Sequence, residues 1–321
     1  MSSELREDAL SDRLVLVAPG RAARPHTTAE ATRKHDTGEC PFCPGHEDQT
    51  PPETYRTGGG APDSPGWRVR VFPNLFPIVA PDAAPGATGA HEVVVLSPDH
   101  DRSFARLTAA QALEVMTVLR DRARYHADAG RRHVQALINY GRAAGASIAH
   151  PHAQLLALDI VPPGVLAAEG RFAVADLLLA DRDDAVERGL VVSDGETSAA
   201  SAASAWCPWA SPSPWLVRVA VPDAGPRFEL ATDEQVRSVT AVLHEVLGAV
   251  AETLSDAPYN VVVQNGPTDS AARWSRWYVE VVPRVSAVAG FELGTGIFVN
   301  SASPDAAAEQ LSVALQRAER T

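Results

Sequence analysis

The stretch NYGRAAGASIAHPHAQLLA, residues Asn139 to Ala157, holds two histidines, a glutamine, a serine and two glycines suited to a tight loop. It lies between two apolar runs, VQALI (134–138) and LLALDIV (155–161), that read as strands. In an extended chain, positions i, i+2 and i+4 share a face. His150, His152 and Gln154 are so spaced, and Pro151 stiffens the chain between the histidines. A neutral imidazole attacks an activated phosphorus well, provided a hydrogen-bond acceptor fixes its other nitrogen. Gln154 can donate to a phosphoryl oxygen. Gly141, Gly145 and Ser147 form a small-residue loop whose N–H groups can approach phosphates. A strand with two histidines in ordinary hydrogen bonds satisfies the same spacing.

Working outward, CPFCPG places Cys40 and Cys43 in a turn-rich segment. A redox pair would sit at a helix start after a strand, whereas these flanks read as loop, which favours a metal knuckle. His100, in the polar turn SPDH, is either a solvated histidine or a third ligand. His150 can supply the fourth. Four protein ligands would make such a zinc structural, bracing the strand that carries His152. Arg21 and Arg24 in GRAARP have the spacing to grip phosphate oxygens, or are two surface arginines. Asn74 and Phe76 follow the strand WRVRVF (67–72); they bracket a base or pack a corner.

The 321 residues carry a net charge of −12, which argues against a general nucleic-acid binder. No apolar run is long enough for a membrane span, and the charged N-terminus lacks a signal-peptide core, so the default location is cytoplasmic. Three cysteines do not suggest a disulfide framework.

The plan of the first half recurs in the second. Thr108 and Gln111 have capping-box spacing ahead of an apolar helix face, and so do Thr232 and Gln235. The next strand ends 31 residues after Thr108, at Asn139, and 32 after Thr232, at Gln264. This predicts an α+β fold of two tandem units: residues 1–193 as the catalytic half, 194–214 as a low-complexity linker or insertion, and 215–321 as the supporting half. The histidine motif has no counterpart in the second copy.

With CPFCPG, VFPNLFP, SPDH, N-x-G-x3-G-x-S-x2-HPHxQ and the closing AGFELGTG in this order, the sequence resembles the galactose-1-phosphate uridylyltransferase family of the histidine-triad superfamily. The resemblance implies two histidine-triad-like halves with antiparallel sheets flanked by helices. It implies ping-pong transfer of UMP between a UDP-sugar and a sugar 1-phosphate through a nucleotidyl-His152. Gln154, Ser147, Asn139 and Gly145 would line the phosphates with Arg21 and Arg24. Asn74 and Phe76 would lie at the nucleotide. Phe291 and Glu292 would reach the sugar from the partner subunit of a homodimer. Cys40, Cys43, His100 and His150 would hold one structural zinc. Gln264, Tyr278 and Glu280 stand where some members have metal ligands, so no second metal is expected. Other departures, such as Leu75 near the nucleotide, leave the sugar and base open. Phosphorylases or hydrolases acting on adenine nucleotides share the motif, and a non-catalytic sugar-nucleotide sensor is the third reading.

Overall fold

Alternation along the strands divides the protein into two faces. The computed structural model describes residues 3–23, 40–194, 203–269, 273–318 and 320. Arg24 and residues 195–202 of the expected linker lie outside these. The strands are β1 (Glu4–Asp8), β2 (Arg13–Val17), β3 (Tyr55–Gly58), β4 (Trp67–Pro73), β5 (Gly89–Val95), β6 (His133–Tyr140), β7 (His152–Leu158), β8 (Val191–Ser193), β9 (Ser204–Trp206), β10 (Val217–Ala220), β11 (Tyr259–Gln264), β12 (Tyr278–Pro283) and β13 (Phe298–Asn300). The helices are α1 (Ala109–Asp128), α2 (Pro163–Phe172), α3 (Leu177–Glu187), α4 (Asp233–Thr253), α5 (Gly290–Thr295) and α6 (Pro304–Ala318). The fold is α+β.

Ten strands form one sheet in the order β3-β4-β5-β7-β6-β11-β12-β10-β9-β8. Read outward from the β6–β11 junction, each half repeats the same sequence of strands, with its long helix between the third strand and the fourth. The two units are therefore joined edge to edge. Antiparallel pairing of Asn139 with Asn260 and of Ile138 with Val261 makes the joint. A separate sheet, β1-β2-β13, pairs the N-terminal hairpin with a strand from the far end of the chain.

Val94, Ala136, Ile138, Ala153, Leu155, Val219, Val261 and Val279 point to one face and pack with α1 and α4 in a single core. Both helices start at threonines that cap the N–H three residues on. At α4 the box is complete; at α1 the Gln111 side chain donates instead to the Leu96 carbonyl, tying the helix to β5. The opposite face carries the polar positions of the central strands. Phe42, Trp67, Phe72, Val93 and Val95 cover it in the first half. Leu10 and the inner sides of α2 and α3 cover it in the second.

Several elements depart from sequence expectation. The expected linker contains β9, and its Trp206 and Cys207 are buried. The bulky Trp206 and the small apolar Cys207 decide this against the small-residue composition around them. The glycine-rich AGFELGTG forms the short helix α5, closed by Gly296 in the left-handed region. None of the helices among the described residues is long and apolar enough to cross a membrane.

Glu92 fastens β5 to α1. Arg122 bonds both carboxylate oxygens, Nε to Oε2 at 3.0 Å, and His126 Nε2 lies 3.3 Å from Oε2. Burial raises this carboxyl, but its hydrogen bonds and the guanidinium charge outweigh burial and hold it at about 2, below the ordinary 4.5. A depressed carboxylate stabilises fully above its unfolded pKa, and the contribution is lost as pH falls through the folded value. Glu92→Gln should therefore cost about 3 kcal/mol at neutral pH. In urea unfolding the gap to wild type should narrow as pH falls from 5 toward about 2; a pH-independent gap would contradict this account.

Candidate active site

β7 begins at His152, so the histidine pair straddles the start of the strand. His152 and Gln154 face away from α1, beside Val95 and Val93 of β5. His152 is 5% exposed, and its Nδ1 lies 2.9 Å from the His150 main-chain oxygen. A carbonyl only accepts, so the proton sits on Nδ1 and Nε2 keeps its lone pair. Burial pushes the pKa of His152 below the usual histidine value, against the smaller pull of that carbonyl. The ring is thus kept neutral, with Nε2 unprotonated.

His150 is fully buried and donates from Nε2 to the Ser97 carbonyl at 2.7 Å. Its Nδ1 lone pair then faces Cys40 Sγ at 3.8 Å and Cys43 Sγ at 3.6 Å. Cys43 Sγ lies 3.4 Å from His100 Nδ1, and all four donor atoms fall within 4.8 Å of one another. A tetrahedral ion with bonds of about 2.3 Å to sulfur and about 2.0 Å to nitrogen has N–S edges near 3.5 Å. The four donors are therefore spaced to hold a metal ion. Burial and the neighbouring Cys40 push the Cys43 thiol up to about 11, and burial pushes His150 down to about 4. Without a cation, two thiolates here would be costly.

The cysteine turn does more than present sulfur. Phe42, between the two cysteines, stands edge-on to His152 at 5.3 Å and 78°, and packs on Phe72 at 5.4 Å. The turn that gathers the donors thus also forms a wall of the His152 pocket.

The loop after β6 is shaped at two glycines. Gly141 has φ of +81° and lies against Pro258, where a Cβ would sit 2.9 Å from the proline ring; Gly145 has φ of +92°. Asn260 of the second half donates to Asn139 Oδ1 at 2.7 Å and to the Ala144 carbonyl at 2.8 Å. This engages the oxygen of Asn139 and holds the loop that carries Gly145 and Ser147, both exposed. Gln154 Oε1 lies 2.9 Å from Nε2 of buried His91, and the Asn74 amide approaches the same nitrogen at 3.2 Å. Phe76, on the loop after β4, is 83% exposed.

The fold thus gathers His152, Gln154, Asn74 and the four metal-binding candidates, His150 among them, with the Asn139–Ser147 loop beside them. Arg21, after β2, and Phe291 and Glu292, on α5, make none of the described contacts of His150, His152 or Gln154. Glu292 instead accepts the Ala289 N–H of its own helix at 3.0 Å. Sequence reading missed Phe42, His91 and Asn260. Phe42 and His91 were in view within CPFC and HEVVVL, but only pairing across strands gives them work. Asn260 had no local signal.

The second half has different chemistry on the same strand positions. Glu280 pairs with Val262 as Gln154 pairs with Leu137 in the first half, and Tyr278 pairs with Gln264. Glu280 accepts from Gln264 at 2.9 Å and from Arg218 at 3.1 Å. The buried Arg218 guanidinium also binds Asp8 and Asp181, each at 2.9 Å.

Residues 80–321 match the family model described as Domain of unknown function (DUF4921), and the chain belongs to that family. It is 28% identical to ADP-glucose phosphorylase of Arabidopsis thaliana, over 95% of this chain and 91% of the relative. The crystal structure of an ADP-glucose phosphorylase from that plant, with bound ADP-glucose, superposes with a TM-score of 0.82 at 26% identity, covering 97% and 99% of the two chains. Galactose-1-phosphate uridylyltransferase of Streptomyces lividans is 32% identical over 50% of this chain and 40% of its own. The likeness to ADP-glucose phosphorylase thus spans the chain, and that to galactose-1-phosphate uridylyltransferase of Streptomyces lividans covers half of it. The chain is thus similar to enzymes of a nucleotidyltransferase and phosphorylase group.

The two histidines should fail differently. His150→Ala should lose bound metal, measured by plasma mass spectrometry, and unfold at lower urea. His152→Ala should keep the metal and a near wild-type midpoint. Phe42→Ala should cost about 3 kcal/mol, as deletion of a buried aromatic ring does. Metal loss in His152→Ala equal to that in His150→Ala would contradict this division.

Proposed function

We propose that the chain transfers a nucleoside monophosphate from a nucleotide sugar through a covalent intermediate on His152, with ADP-glucose as donor and orthophosphate as acceptor. The observation that carries the reading is the Nδ1–H bond to the His150 carbonyl, which leaves Nε2 as a buried, unprotonated nucleophile. Adenylyl transfer to phosphate is favoured because likeness to ADP-glucose phosphorylase spans nearly both whole chains.

The Nε2 lone pair attacks the α-phosphorus, and the bond to the bridging oxygen breaks. Glucose 1-phosphate leaves with that electron pair. The imidazole then carries phosphorus on Nε2 and a proton on Nδ1, a cation that the His150 carbonyl stabilises. A phosphate oxygen next attacks the same phosphorus, the P–N bond returns its electrons to Nε2, and ADP departs. Both steps need hydrogen-bond donors at the non-bridging oxygens, and Gln154, Asn139, Ser147 and the N–H groups around Gly145 are assigned that role. Arg21 and Arg24 contact the outer phosphate; Asn74 and Phe76 border the nucleoside.

Zinc fits the donor set of Cys40, Cys43, His100 and His150 and supplies structural bracing there. Phe291 and Glu292 contact the sugar of a second copy in a homodimer. Exposed Val288, Phe291 and Leu293 support α5 as a contact segment.

Uridylyl exchange between sugar 1-phosphates is the second reading, supported by the match to the Streptomyces uridylyltransferase. Incubation with ADP-glucose without acceptor should add one AMP to the protein, and His152→Ala should abolish the adduct. Orthophosphate should discharge it as ADP. Discharge only by a sugar 1-phosphate, or labelling by UDP-glucose alone, would favour the second reading. Labelling that survives His152→Ala would sink the mechanism.

A further inference from the structure

We infer that His91 is a positioning residue, which turns the Gln154 side chain so that its NH2 group faces the reacting phosphoryl oxygens. The inference rests on the nucleotidyl-transfer reading.

His91 lies on β5, on the face that carries Val93 and Val95, and is 5% exposed. The main-chain N–H of Ile78 donates to its Nδ1 at 3.2 Å. An N–H can only donate, so Nδ1 carries the lone pair, and the proton of the ring must be on Nε2. That atom lies 2.9 Å from Gln154 Oε1. Asn74 Nδ2 also approaches it, at 3.2 Å, but Asn74 Oδ1 already accepts the Phe76 N–H at 2.8 Å. The nitrogen end of Asn74 therefore meets an N–H, which makes that approach a packing contact. Among the described residues, Gln154 Oε1 is the acceptor left for the His91 proton.

Two backbone N–H groups thus decide the orientation of a side chain that neither touches. Ile78 sets the tautomer of His91, and His91 sets the amide of Gln154. A flipped Gln154 would bring its NH2 against the His91 N–H and leave a buried donor unmade, which disfavours that state by about 10- to 100-fold. Held as it is, Gln154 keeps its NH2 for the ligand. Burial pushes the pKa of His91 down, against the pull of Gln154, which is consistent with a neutral ring. The nearby carboxylate Glu92 lies on the opposite face, bound to Arg122 and His126.

A fixed donor matters most when charge shifts onto the non-bridging oxygens at the transition state. The expected defect is therefore in rate more than in binding. His91→Phe should slow formation of the His152 adduct by about 10- to 100-fold. Its dissociation constant for ADP-glucose should stay within about threefold of wild type. His91→Gln, whose amide can also donate, should recover most of the rate. In a Gln154→Ala background, His91→Phe should slow the reaction by less than about twofold, because the side chain it orients is gone. Adduct formation by His91→Phe at the wild-type rate, or an equal further loss in the Gln154→Ala background, would overturn the inference.

Imidazole 1H–15N correlation spectra of the intact wild-type protein provide a readout independent of turnover. A neutral His91 protonated at Nε2 is expected, and protonation at Nδ1 would overturn the proposal even if no variant folds. Should the wild-type protein form no adduct with ADP-glucose or UDP-glucose, the functional reading fails, whereas these spectra still decide the His91–Gln154 bond.

Discussion

His150 is held from two sides and holds from a third. Its Nε2–H is anchored on the Ser97 carbonyl, its Nδ1 faces the two cysteines, and its own carbonyl takes the proton of His152. The main chain between the histidines is a single proline, whose ring allows little rotation. Any movement of the metal-binding corner is therefore passed directly to the His152 tautomer. The donors Cys40, Cys43 and His100 are thereby coupled, through His150, to residue 152. Phe42 adds a second link, since the turn that places the cysteines also places the ring against His152.

The same sheet shows how one of two similar halves lost the option of that chemistry. Position for position, Val93 stands opposite Gln154 and Arg218 stands opposite Glu280. A valine offers its neighbour Gln154 no charged partner. An arginine fills the corresponding space and draws in Asp8 and Asp181, a buried cluster in which removing one partner strands the rest. The second half instead supports its neighbour: Asn260 bonds both Asn139 and the Ala144 carbonyl across the strand junction. A site on the first half alone would lack the brace for its own loop.

Much of this was legible in the sequence because it is local. Spacing alone grouped His150, His152 and Gln154, and four ligand-type residues in turn-rich contexts assembled as expected. The repeat of cap, helix and strand anticipated the mirrored strand order. What remained hidden depends on partners far apart in sequence. β8 and β9 are too short to show alternation, and β9 was submerged in a small-residue segment until Trp206 and Cys207 buried it. His91 looked like the polar first residue of an apolar strand. Its role depends on an N–H thirteen residues earlier and an amide sixty-three residues later.

The described donors around His152 are neutral, which bears on how an acidic protein would hold the nucleotide sugar of the proposed reaction. Gln154 and Asn139 have their oxygens engaged, by His91 and Asn260, and so present nitrogen to the pocket. A cation beside His152 would favour binding of substrate and transition state alike. It would also oppose the positive charge that builds on the imidazole as phosphorus attaches. Preset amide dipoles avoid that repulsion, and their bonds strengthen as the oxygens gain charge. Under the proposed mechanism the nucleophile must itself become a cation, so fixed neutral donors suit the reacting phosphorus, and arginines suit the outer phosphates.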